Sequence, residues 1–131
     1  MKRVHCDDWR NGRDVGITIE NPSWDEVKLL IQDLNGETKT LVTFGDYDEG
    51  YYMAIGGGCS QYILYLSFDD EGRILELIDP NGSDKGFVEL VVGGQAGRFS
   101  ENMCVSQERI IIAAKTFYET QTPDSRLYWR E

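Results

Sequence analysis

One histidine, three cysteines and a large stock of carboxylates are the residues with chemistry to offer in this chain. His5 adjoins Cys6, but neighbours in an extended segment point to opposite faces, so the two do not form a nucleophile and its base. No other nucleophile stands near His5 in the sequence. Cys59 and Cys104 reach it only through the fold, and the simpler reading of each thiol is small apolar packing. A zinc site needs closely spaced Cys or His ligands, which one His and scattered Cys do not supply. Asp46, Asp48 and Glu49 imitate the opening of a calcium loop, yet the place of its closing bidentate Glu falls on Gly57. The glycine runs at Gly56–Gly58 and Gly93–Gly94 lack the Lys-Ser/Thr of a phosphate loop. No metal and no cofactor is expected.

Paired carboxylates alone can run hydrolysis, so the acids need a separate reading. Most fall in turns, at 46–49, 69–71 and Asp79, where solvent keeps them ionised. Glu76 and Glu89 lie within strand-like segments and are the better catalytic candidates, although a solvent-facing sheet position explains each of them. No catalytic residue is assigned, and a carboxylate-based small hydrolase stays as an alternative without a motif.

What remains is a surface. Asp46-Tyr47-Asp48-Glu49-Gly50-Tyr51-Tyr52 interleaves acids with aromatics, and Asp69-Asp70-Glu71 adds a second acidic turn. Tyrosine offers large contact area at low entropic cost, and acids pair with Arg and Lys of a basic partner. The candidate partner-binding residues are therefore Asp46, Tyr47, Asp48, Glu49, Tyr52, Asp69, Asp70 and Glu71. The competing reading makes both segments ordinary solvated hairpin tips, with Tyr51 in the core.

Charge bears on the choice. Twenty-three acids against thirteen bases give a formal net charge of -10. That argues against direct binding of nucleic acid or an anionic membrane, both of which need clustered Lys and Arg. It favours a basic protein partner, although acidity also serves plain solubility. At 131 residues one domain is expected. The odd cysteine count reads as free thiols in a reducing cytoplasm. Met1-Lys2-Arg3 is followed by no apolar run, and no stretch nears the ~20 apolar residues of a membrane span. A soluble cytoplasmic protein is expected, with a monomer favoured.

These residues must be positioned by short strands and two helices. Arg3 to Cys6 and Val15 to Ile19 read as strands. Asn21-Pro22-Ser23 opens a helix from Trp24 to Leu34, because Ser23 and Glu26 have capping-box spacing and Gly36 can end it. Between residues 38 and 92 the apolar period becomes two. Leu41–Phe44, Tyr51–Ile55, Tyr62–Phe68, Arg73–Ile78 and Phe87–Val92 then form an antiparallel meander of about five strands. A second helix over 106–120 starts at Ser106 and carries Ile110, Ala113, Ala114 and Phe117 on one face. The fold class is α+β: a meander sheet of about five to seven strands with both helices on one face.

A particular order of residues now stands out. A glycine-rich break (Gly56-Gly57-Gly58) precedes a strand, and a later strand ends in Gly93-Gly94. A helix then carries Ala113-Ala114 and Phe117-Tyr118, followed by a turn with Pro123 and a closing Leu127-Tyr128-Trp129. Over roughly residues 38–129 this resembles the bacterial immunity-protein family Imm-one, found beside polymorphic and contact-dependent-inhibition toxins. Two departures are visible: a glycine often stands where this chain has Gln121, and a proline near Arg98 to Ser100 is missing. The resemblance implies a non-enzymatic α+β inhibitor that binds the C-terminal domain of a cognate basic toxin and blocks its active site. Such toxins are commonly nucleases or nucleobase deaminases. The shared glycines and aromatics would keep the fold, leaving contacts to variable loops. A small intracellular acidic binding or adaptor domain with another partner is the alternative.

Overall fold

Alternation of large apolar and polar side chains gives each strand one face for a core and one for solvent. The computed structural model describes residues 3–46, 48–68 and 72–131. Its strands are β1 (Arg3–Cys6), β2 (Trp9–Arg10), β3 (Arg13–Asp14), β4 (Ile17–Glu20), β5 (Leu41–Asp46), β6 (Tyr51–Gly58), β7 (Gln61–Phe68), β8 (Ile74–Ile78), β9 (Phe87–Val92), β10 (Gln95–Ser100) and β11 (Tyr128–Arg130). The helices are α1 (Trp24–Gln32) and α2 (Gln107–Thr120). Seven strands make one sheet in the order β11-β8-β7-β6-β5-β1-β4, every neighbouring pair antiparallel. The class is α+β, as the sequence periodicity implied.

The core lies between this sheet and the helix pair. Val4, Val42, Phe44, Met53, Ile55, Leu64, Leu66 and Leu77 project from the sheet toward Val27, Ile31, Ile110, Ala113, Ala114 and Phe117. Phe44 meets Phe117 edge-on at 5.7 Å between ring centroids. In α2 the three isoleucines separate by burial: Ile110 is fully buried, while Ile111 and Ile112 are only partly covered. Packing thus holds a β-branched run in a helix that propensity disfavours. The two helices also meet each other: Trp24 lies against Tyr118, whose hydroxyl donates to the Pro22 carbonyl at 2.8 Å.

Both helix starts follow their capping chemistry. Ser23 accepts from the Glu26 N–H while the Glu26 side chain accepts from the Ser23 N–H. Ser106 accepts from the Arg109 N–H. The first helix stops at Gln32 rather than Leu34. Beyond it, the Asn35 side-chain Oδ1 accepts the N–H groups of Glu37, Thr38 and Lys39, and this local turn outcompetes another helical turn.

The meander is shorter than expected. Four strands, β5 to β8, follow one another in the sheet, and β9 leaves it to pair with β10. Gly93 and Gly94, at φ 63° and 78°, turn the chain back between them, as a two-residue hairpin loop demands. This hairpin lies on the face away from the helices. Val92 sits over Gly56, where a Cβ would come within 2.5 Å of its Cγ1. Gly58 closes against the backbone of Asn35 and Gly36, so the triple glycine is strand with close neighbours on it. Strand β11 adds an edge beside β8, and half-buried Trp129 donates its indole N–H to the Asp124 carbonyl at 2.9 Å. Among the described residues, no helix is long and apolar enough to cross a membrane.

Candidate partner-binding surface

Antiparallel register sets the β5–β6 turn at one end of the sheet. Asp46 pairs with Tyr51, and Tyr51 with Phe68, so the β5–β6 turn sits beside the end of β7. Asp48 and Glu49 are exposed in that turn. Asp46, expected as an exposed turn acid, is instead the last residue of β5, only 8 % exposed, and its carboxylate accepts from the Glu49 N–H. Its pairing position puts it on the helix side with Tyr51, where it shapes the turn. Tyr51 packs against the core. Tyr47, Asp69, Asp70 and Glu71 lie outside the described residues.

Tyr52 falls on the opposite face, between Gly45 and Ser67, whose hydroxyl donates to the Gly50 carbonyl at 3.0 Å. On that face the register places Thr43, Ala54, Tyr65 and Glu76 in one row, with Ser67 and Ile74 in the next. A cleft of about 330 Å³ opens there, lined by Tyr52, Ile63, Tyr65, Ile74, Glu76 and Met103. Glu76 Oε2 accepts from Arg130 Nη2 at 3.0 Å and Nε at 3.3 Å. Burial, and then the neighbouring Tyr52, pushes the Tyr65 hydroxyl above its ordinary pKa, so it stays a neutral donor and acceptor. Sequence reading missed Tyr65, Ile74 and Met103 as surface residues. The alternation held the signal for Tyr65, the partner position between core Leu64 and Leu66.

The catalytic readings fare differently. Cys6 is buried on the helix side, and burial, followed by Asp7, pushes its thiol up to about 12. Burial, then Glu101, also raises Cys104. Neither thiol is poised to react. His5 does have a hydroxyl beside it: Nδ1 lies 2.8 Å from Thr18 Oγ1, and Nε2 lies 3.0 Å from Asp14 Oδ2. Pairing of β4 with β1 brings Thr18, and the β2–β3 hairpin folds Asp14 back, neither of which sequence spacing reveals. Asp14 is occupied in shaping this loop, because its Oδ1 accepts from the N–H groups of Asp8 and Gly16. Partial burial opposes its ionisation, but these bonds and the one from His5 outweigh it and lower its pKa. The cluster ties the edge strand to the sheet. Glu76 and Glu89 line different clefts, so they do not form a carboxylate pair. Among the described residues, no group of three or more His, Cys, Asp or Glu is placed to hold a metal.

Asp7 is a buried acid that sequence spacing does not mark. Asp7, 3 % exposed, accepts from the N–H groups of Thr40 and Leu41, the Thr40 hydroxyl and the Trp9 indole. Thr40 Oγ1 in turn accepts from the Gly94 N–H at 2.9 Å, so one carboxylate docks the far hairpin onto the sheet.

Fold and surface together define a small α+β protein with one sheet face covered by helices and the other left partly open, acids at its end. The family model for Immunity protein Imm1 matches residues 16–131, and the chain belongs to that family. The match begins ahead of the 38–129 stretch and takes in β4 and α1. No curated protein matches the chain. Membership carries the toxin-inhibiting function of an immunity protein, in a family typically without enzymatic activity, and a cognate toxin as partner.

Proposed function

We propose that this chain neutralises a toxin that acts on nucleic acid, a nuclease or a nucleobase deaminase, by laying the acidic end of its sheet over the toxin's basic substrate path. It does so as a monomer in the bacterial cytoplasm, protecting against a polymorphic toxin of the contact-dependent kind. The observation that carries this reading is the exposure of Asp48 and Glu49 in a turn leading directly into Tyr52 on the open face. A net charge of -10 supports it, since a surface built to attract phosphates also attracts carboxylates. Occlusion needs no chemistry from the inhibitor: a contact of ordinary size over the active site excludes substrate.

The test uses the toxin domain encoded beside this chain's gene. Wild-type chain should abolish its nuclease or deaminase activity at a one-to-one ratio. Asp48→Lys with Glu49→Lys should slow association by ~10–100-fold at low salt, with the loss shrinking as salt rises and the thermal midpoint unchanged. Asp46 is left intact because it is buried. An association rate equal to wild type would move the interface away from this turn.

A further inference from the structure

We propose that the cleft on the open sheet face is the socket for one arginine side chain of the toxin. The inference rests on the toxin-binding reading above and names the contact at its centre. The lining divides into two chemistries. Ile63, Ile74 and Met103 form an apolar wall, while Glu76 and the hydroxyls and rings of Tyr52 and Tyr65 form a polar, aromatic one. A side chain with an aliphatic stem and a cationic head matches both halves. Arginine fits better than lysine, because its planar guanidinium stacks on tyrosine rings and pairs with a carboxylate through several donors.

The molecule already shows this recognition at the rim. Arg130 places Nε and Nη2 on Glu76 Oε2, and Oε1 carries no hydrogen bond from the described residues. An incoming guanidinium is taken by that second oxygen. Ile63 is 5 % exposed, so the floor is already packed, whereas Ile74 remains 43 % exposed at the mouth. A partner's side chain would cover it. Charge complementarity identifies the occupant: the cleft opens beside Tyr52, on the strand that follows the acidic turn, in a chain of net charge -10. Basic groups steered to Asp48 and Glu49 arrive next to it.

The experiment measures the affinity of the full chain for the toxin domain encoded by the neighbouring gene. Ile74→Lys should weaken binding at least ~30-fold, as expected for a central contact. Glu76→Gln should weaken it at least ~10-fold. Each surface arginine of the toxin is then changed to Ala. One of them should lose a similar factor, and on that background Glu76→Gln should add nothing further. Tyr65→Phe replaces any variant whose melting midpoint falls, and should weaken binding several-fold without unfolding. Wild-type affinity in Ile74→Lys and Glu76→Gln, beside a loss in the Asp48/Glu49 double variant, overturns the socket while toxin binding stands. Failure of Glu76→Gln to couple to any of the toxin arginine variants overturns the arginine assignment. Failure of the wild-type chain to bind the domain overturns the toxin reading, and this inference with it.

Discussion

Asp124 does at the end of the chain what Asp7 does near its start. It is 3 % exposed and accepts from the Thr116 hydroxyl at 2.6 Å and from the Arg126 N–H at 2.8 Å. The Arg126 guanidinium closes on both of its oxygens, with Nη2 at 2.6 Å. These bonds pin the final strand to α2. The Arg126 guanidinium, against opposing burial and with help from Thr116, holds the Asp124 carboxyl well below the usual carboxylate range. A depressed folded pKa contributes stability above the unfolded value, near ~3.9, and that stability disappears as pH falls toward the folded one. Asp124→Ala should cost ~1–2 kcal/mol at neutral pH, since it removes the hydrogen bonds that Thr116 and the Arg126 backbone make to a buried acceptor. Denaturant titrations below pH 4 should show the gap between wild type and variant closing. A gap independent of pH would mean that the carboxylate's charge contributes nothing.

Helix ends show how an element meets its surroundings. Gln121 closes α2 at φ 58°, in the left-handed region, with its N–H on the Phe117 carbonyl. A side chain there carries a Cβ penalty that glycine avoids, which gives a physical reason for a glycine at this position. Gln121→Gly should stabilise by about 0.5–1 kcal/mol, set by the relieved penalty less glycine's greater unfolded entropy. A thermal melt that moves down would show that the glutamine side chain itself supports the cap. Gln121 stands at helical spacing from Phe117, yet the helix over 106–120 ends before it, as the structure shows at Thr120. The end is set where the backbone turns left-handed, and no apolar pattern reports that.

At the scale of the whole molecule, the hairpin of β9 and β10 divides the open face into a covered half and the half that holds the cleft. It stands on Gly56 and is tied at its tip, where Gly94 leaves room for the Trp9 indole and donates to Thr40. Gly56→Leu should push Val92 away and cost ~1–3 kcal/mol. Hydrogen exchange across 87–100 should quicken while β6 and β7 stay protected. Equal protection in the hairpin would mean that it docks through its tip alone. Sequence periodicity places β9 in the meander, since its composition matches a sheet strand. What sends it elsewhere is the vacancy over one glycine, a property of two segments brought together.

Alternation along β5 to β8, the capping residues Ser23, Glu26 and Ser106, the acidic balance and the order of glycines and aromatics were all legible from the chain alone. Strand period, cap chemistry and net charge act within a few residues or over the whole composition, so they need no partner. Tertiary structure decided the rest. It buried Asp46, set Thr18 and Asp14 on His5, put Asp7 under the distant hairpin, and joined Tyr52 to Tyr65, Ile74, Glu76 and Met103 around one cleft. In each case the outcome depends on which strand lies alongside and on which face the register turns outward. A one-residue shift would reverse every face, and the residues that set the register lie tens of positions away.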